Sequence, residues 1–130
     1  IFKIQTGNVL SYNLTRRWRD GGRDAAGEYL IGKNKASIKV EYALEAKRYN
    51  INNGIGVKLV SRLISRIKYR QFGVFVTTSY ISEQAYKELI EDNHPVIIIS
   101  AKDIANILID ANINTKSEVE NWLSLIDEQQ

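Results

Sequence analysis

The segment IKVEYALEAKR, residues 38–48, carries the strongest indication of the fold. Its Val, Ile and Tyr residues favour a β-strand. Side chains of a strand alternate between its two faces, so Glu45 and Lys47 project from one face while Leu44 and Ala46 take the other. A carboxylate and an ammonium group therefore lie side by side.

A second acid, Asp24, lies in an earlier apolar segment, residues 23–31 (RDAAGEYLI). A turn-like stretch at residues 32–35 separates the two segments, so antiparallel pairing would bring Asp24 opposite Glu45. Two carboxylates could then share one Mg²⁺ ion, which prefers oxygen ligands and also binds substrate phosphates. By itself the pattern is weak evidence, because an exposed, ion-paired strand has the same residues.

Four segments of the chain add context to this pattern: RDGGRDAAG (19–27), YALEAKRYN (42–50), GVFVTTSYISEQAY (73–86) and PVIIISAKDIANIL (95–108). In order and in character they resemble the catalytic domain of Mrr-like restriction endonucleases, which belong to the PD-(D/E)xK nuclease superfamily. The resemblance covers most of residues 19–110. It implies an endonuclease that cleaves DNA with Mg²⁺.

The resemblance also implies an active site made of Asp24, Glu45 and Lys47, with Asp24, Glu45 and Ala46 as metal ligands. Two positions depart from the family pattern. Arg23 stands where the superfamily name has proline, and Glu45 stands where many Mrr-like enzymes carry glutamine. A residue other than proline at the first position is common in divergent members of the superfamily. The carboxylate of Glu45 is a stronger metal ligand than the glutamine side chain, so neither departure argues against a nuclease.

Length and composition limit the possible classes of protein. A chain of 130 residues predicts one domain, with the nuclease core in residues 1–110 and a helical extension in residues 111–130. The chain begins with Ile1 and contains no Met, so we expect it to be part of a longer protein. The absence of cysteine excludes disulfides and Cys-based zinc sites. We expect a cytoplasmic location and no membrane contact, since no signal peptide or membrane-length apolar run is visible.

Charge is distributed unevenly along the chain. Residues 1–82 carry fifteen Lys and Arg against five Asp and Glu, a net charge of +10, whereas residues 83–130 carry three against ten, a net charge of −7. No acidic residue lies between Glu45 and Glu83. Such a basic stretch beside two carboxylates suits a polyanionic substrate. A solvated helix face is the alternative, although such faces usually mix both signs.

Seven basic side chains are the predicted DNA contacts: Arg16, Arg17, Arg19, Arg48, Lys58, Arg62 and Arg66. The last three recur every fourth residue and would share one face of a helix. Most protein–DNA hydrogen bonds go to phosphate and sugar, so we expect contacts with the DNA backbone. Three consecutive hydroxyl residues, Thr77, Thr78 and Ser79, could bind phosphate or cap the turn toward Ser82.

The remaining pattern predicts an α/β fold, a mixed β-sheet flanked by helices, and the resemblance implies the same architecture, that of the restriction-endonuclease-like fold. Apolar spacing predicts a helix over residues 55–67, strands over 72–78 and 96–100, and helices over 82–92 and 101–110. A hairpin followed by parallel crossovers accounts for this order. Residues 1–18 fit either a strand or the tail of a first helix that is otherwise missing. A helix opened by Ser117 would carry an apolar patch over residues 122–126, which packs on the core or forms a dimer contact.

The leading hypothesis is a Mg²⁺-dependent endonuclease, the cleavage module of a type II or modification-dependent restriction enzyme. Its partners would be double-stranded DNA, a specificity domain in the parent chain and further copies of itself on DNA, because cutting a duplex needs two nicks. Two alternatives stay open. One is a structure-specific resolvase or repair nuclease of the same superfamily. The other is a non-catalytic DNA-binding or assembly domain with a vestigial site.

Overall fold

The computed structural model describes residues 1–14, 24–67 and 70–128 of the chain. Five strands form one sheet in the order β1-β2-β3-β4-β5. The elements in chain order are α1 (Phe2–Thr6), β1 (Val9–Leu14), β2 (Ala25–Lys33), β3 (Ala36–Lys47), α2 (Val57–Arg66), β4 (Phe72–Thr77), α3 (Glu83–Glu91), β5 (Val96–Ile99), α4 (Ala101–Asp110) and α5 (Lys116–Asp127).

The sheet is antiparallel on one side of β3 and parallel on the other. β1 pairs with β2 and β2 pairs with β3 in antiparallel fashion. β3 pairs with β4 and β4 with β5 in parallel fashion, with α3 connecting β4 to β5. The predicted mixed sheet flanked by helices is therefore confirmed.

The turn between β2 and β3 fixes the register of the hairpin. It is tighter than predicted, since Lys33 still pairs with Ala36 and only Asn34 and Lys35 form the turn. Asn34 has a φ of 52°, in the left-handed region that asparagine tolerates better than most residues. The Ser37 hydroxyl donates to the Asn34 carbonyl oxygen at 2.6 Å. Counting from this turn, the pairing of β2 with β3 ends at Ala25 and Leu44.

The core lies on both faces of the sheet. Helices α2 and α3 cover one face through a buried cluster of Ile55, Val60, Leu63, Ile67, Phe75, Ala85 and Leu89. Helices α1 and α4 cover the other face, where Phe2, Tyr42, Val74 and Ile99 are buried and Ile104 and Ile107 of α4 pack against them. Side chains of β3 and β4 alternate between the two faces of the sheet, so both strands pack against helices on each face.

Other boundaries also differ from the sequence prediction. Residues 1–14 contain both a short helix and a strand, where the sequence suggested one or the other. α2 begins at Val57, because Ile55 forms a β-bridge with Ile81. α5 begins at Lys116 with Thr115 as its N-cap, one residue before Ser117.

The apolar patch predicted for the C-terminal helix divides in two. Trp122 and Ile126 line a cavity of about 530 Å³ together with Phe2 and other residues of α1 and the sheet. Leu123 and Leu125 are exposed on the outer side of α5. No helix in the described part of the chain is long and apolar enough to cross a membrane.

Candidate active site

The candidate site lies at the edge of the sheet where β3 and β4 end and β2 begins. β3 and β4 are parallel, so their carboxyl ends meet at this edge, and antiparallel β2 starts there. Ligand sites of α/β proteins commonly lie outside the carboxyl ends of such strands. The edge brings together Asp24, one residue before β2, and Glu45 and Lys47 at the end of β3.

Glu45 and Lys47 form an ion pair on the sheet face that α2 and α3 cover. The Lys47 Nζ atom lies 3.2 Å from the Glu45 Oε1 atom. The Glu45 side chain is fully buried, level with the core residue Phe75, whereas the Lys47 side chain is 31% exposed. A buried carboxylate needs a charged or hydrogen-bonded partner to offset the loss of water. The packing thus fixes the carboxylate and leaves the ammonium group within reach of solvent.

Asp24 continues the β2–β3 pairing by one residue. Its backbone N–H donates to the Leu44 carbonyl oxygen at 3.0 Å. Its side chain turns back onto β3, where the Ala46 N–H donates to the Asp24 Oδ2 atom at 2.6 Å. Asp24 is therefore next to the backbone between Glu45 and Lys47, as the proposed pairing of the two segments requires.

The oxygen atoms at this edge are suited to a hard cation. Asp24 and Glu45 offer carboxylates, and Ala46, the residue after Glu45 on β3, could offer only its backbone carbonyl oxygen. The described ranges, with gaps at residues 15–23 and 68–69, contain no group of three or more His, Cys, Asp and Glu residues arranged to hold a metal. Two carboxylates are nevertheless a common protein contribution to a Mg²⁺ site.

The predicted DNA contacts are only partly visible. Arg48 is exposed immediately after Lys47, and Lys58 and Arg62 are exposed on α2, whose other side carries the buried Val60 and Leu63. Lys58 lies in the first turn of α2, and Arg62 lies one turn further along the helix. Arg16, Arg17, Arg19 and the side chain of Arg66 lie outside what the structure describes.

The hydroxyl residues at the end of β4 fall into two groups. The Thr77 hydroxyl accepts from the Ser79 N–H at 3.2 Å, a local bond within the turn that follows β4 and leads toward Ser82. Thr78 and Ser79 have a role that the sequence did not suggest. The Thr78 hydroxyl binds the backbone of Tyr49, and the Ser79 hydroxyl donates to the Asn53 carbonyl oxygen at 2.6 Å. Neither caps the turn toward Ser82, which itself caps α3 by accepting from the Ala85 N–H. Their partners are 26–29 residues away, so no local spacing could have indicated these bonds.

Comparison with solved structures gives two close matches. The DNA modification-dependent restriction endonuclease AspBHI is 50% identical over 99% of this chain, with a TM-score of 0.91. The MspJI restriction endonuclease, solved in complex with a 27-mer oligonucleotide, is 31% identical over 82% of this chain, with a TM-score of 0.67. This chain spans 33% of the AspBHI chain and 24% of the MspJI chain.

Two further comparisons concern sequence alone. A search of curated proteins gives no match. The family model of the Mrr catalytic domain, described as a restriction endonuclease, matches residues 5–108, which is most of the chain. The fold and the family expected from the four sequence segments are thereby confirmed. The chain belongs to the Mrr catalytic-domain family of restriction endonucleases.

Proposed function

We propose that this chain is the cleavage module of a modification-dependent restriction enzyme and hydrolyses DNA phosphodiester bonds with Mg²⁺. The observation that carries the proposal is the meeting of Asp24, Glu45 and Lys47 at one edge of the sheet, with Asp24 held by the Ala46 N–H. Membership of a restriction endonuclease family makes this edge the natural place for the chemistry.

The donor atoms fit a magnesium ion. Asp24 and Glu45 would bind it through carboxylate oxygens and Ala46 through its carbonyl oxygen, all of them hard ligands of the kind that Mg²⁺ prefers. A bound Mg²⁺ ion would lower the pKa of a water ligand and stabilise charge on the leaving oxygen. Lys47, whose ammonium group pairs with Glu45 and is partly exposed, would turn toward the substrate phosphate.

The side chains have distinct roles in the proposed reaction. Water adds to the phosphorus atom, one P–O ester bond breaks, and the products are a phosphate monoester and an alcohol. Lys47 would attract the scissile phosphate and orient the attacking water, while Asp24, aligned by its bond from Ala46, would keep the ligand geometry. Preorganised charge of this kind commonly supplies a large share of catalysis.

Double-stranded DNA is the proposed substrate, bound by the exposed cations Arg48, Lys58 and Arg62. Arg16, Arg17, Arg19 and Arg66 are proposed to extend this contact. Modification dependence is proposed because AspBHI carries that description at 50% identity. This chain corresponds to a third of AspBHI, so we propose that a separate specificity domain reads the modified base and that copies assemble on DNA to cut both strands.

The test is a substrate panel for the longer protein that carries this segment. Duplexes with and without modified cytosines and a four-way junction of the same sequence are incubated with Mg²⁺, and cleavage rates are compared. Preferential cutting of the modified duplex is expected. Preference for the junction would support the resolvase alternative, and tight binding without cleavage of any substrate would support the vestigial-site alternative.

A further inference from the structure

We propose that Thr78 is a positioning residue for Lys47, an inference that rests on the proposed function of the site. Thr78 is the first residue after β4, and β4 pairs with β3, the strand that carries Lys47. Its hydroxyl bonds to the backbone of Tyr49, two residues after Lys47. Its action would therefore pass through the strand end.

Thr78 makes three bonds to residues at and just beyond the end of β3. Its Oγ1 hydroxyl donates to the Tyr49 carbonyl oxygen at 2.8 Å and accepts from the Tyr49 N–H at 3.0 Å. Its backbone N–H donates to the Lys47 carbonyl oxygen at 3.4 Å. One hydroxyl thus binds both polar backbone groups of the residue two positions after Lys47, as a group that is both donor and acceptor can.

These bonds stabilise a strand end that would otherwise be open to fraying. Regular pairing of β3 with β4 stops at Lys47 and Thr77, and residues 48–54 form no helix or strand. Ser79, which is 1% exposed, holds the far end of this loop through its bond to Asn53. Lys47 therefore lies between two fixed points, its ion pair with Glu45 and the Thr78–Tyr49 contact.

The same geometry argues against phosphate binding by the Thr78 hydroxyl. Its hydrogen is given to the Tyr49 carbonyl, so a phosphate oxygen would have to displace an existing bond. A displacement of about 1 Å at a reacting group can reduce a rate roughly 100-fold. By fixing the backbone beside Lys47, Thr78 would affect the cleavage rate without contacting the substrate.

The first experiment measures single-turnover cleavage at saturating DNA in the longer protein. Thr78→Val removes the hydroxyl and keeps the shape, and because Thr78 is exposed the core is left intact. We expect the rate to fall about tenfold with DNA affinity within about twofold of wild type, since positioning affects the chemical step. Thr78→Ser should restore the rate. The matched control Thr6→Val, which removes a hydroxyl bond to Phe2 in α1, should have no effect.

A double-mutant cycle shows whether Thr78 acts through Lys47. In a Lys47→Ala background, Thr78→Val should change the rate less than about twofold, because coupled residues are not additive. An undiminished tenfold loss in that background, or a wild-type rate in Thr78→Val alone, would overturn the inference while leaving the proposed function intact. A wild-type rate in Lys47→Ala alone would instead refute the proposed site, and the role of Thr78 with it.

Discussion

Of the candidate site residues, Glu45 loses the most hydration free energy on folding. Its side chain is fully buried, yet the ion pair to Lys47 at 3.2 Å joins it to a partly exposed ammonium group. Ion pairs of this kind contribute little to stability, because desolvation offsets much of the attraction. The Glu45–Lys47 pair, at the carboxyl ends of β3 and β4, is therefore better explained by a role in catalysis than by a contribution to folding stability.

The substitution Lys47→Ala tests whether the Glu45–Lys47 pair has a role in catalysis. Loss of the ammonium group should reduce the cleavage rate by about two orders of magnitude, as for other electrostatic groups that act on the transition state. DNA affinity should change little, since many phosphate contacts remain. The measurement is single-turnover cleavage in Mg²⁺, with thermal unfolding of the same sample to show that the variant is folded. Full activity in a folded Lys47→Ala variant would mean that the EAK pattern is coincidental.

The residues of the site differ in how far sequence could predict them. Glu45 and Lys47 are two positions apart on one strand, so their shared face follows from strand geometry alone. Asp24 required a pairing across a turn, which the β2–β3 register provides. Thr78 was not predicted as a partner of Tyr49, because that contact depends on how the segments after two parallel strands run side by side.

Elements with strong local signals were predicted best. α3 and α4 begin where Ser82 and Ser100 cap them, and both caps accept from a backbone N–H three residues on. The start of α2 was placed two residues too early, because Ile55 is buried like a helix residue but pairs with Ile81. Burial alone does not distinguish these conformations.

Helix α2 carries the prediction about DNA binding. Reversing the charges of Lys58 and Arg62 together should weaken binding to every DNA sequence by a similar factor, because phosphate contacts carry no base information. The salt dependence of log Kd should lose about one unit of slope for each lost contact. Lys39→Glu is the control, since Lys39 is exposed on β3 near the hairpin, at the opposite end of the strand. An unchanged slope in the double variant would show that α2 faces away from DNA.

Helix α5 carries a prediction about pH. Hydrogen bonds from the backbone N–H groups of Asn114 and Thr115 hold the pKa of Glu118 below its usual value. A lowered folded-state pKa means that the stabilisation is present above the usual Glu pKa and is lost as pH falls through the folded-state value. The protection of the first-turn amides of α5, expressed relative to their intrinsic exchange rate at each pH, should therefore fall at low pH. Glu118→Ala should show the lower protection already at neutral pH, and equal protection in both proteins would contradict this account of the cap.

At the scale of the whole molecule, charge and length limit what this segment does alone. The acidic surplus of residues 83–130 contrasts with the basic surplus of residues 1–82. The chain also spans only 33% of AspBHI, and the proposed specificity domain would lie outside this segment. These features could not be derived from residues 38–48, since they depend on the rest of the chain and on what surrounds it.

The proposed site requires Asp24 and Glu45 to hold the metal ion used in DNA cleavage. The most direct measurement is single-turnover cleavage of a modified duplex by the longer protein, with Mg²⁺ or with a chelator, for wild type, Asp24→Ala and Glu45→Ala. We predict cleavage only by wild type with Mg²⁺, while both variants still bind the duplex because each change removes negative charge near the substrate. Near-normal cleavage by either folded variant in Mg²⁺ would contradict the assignment of the site.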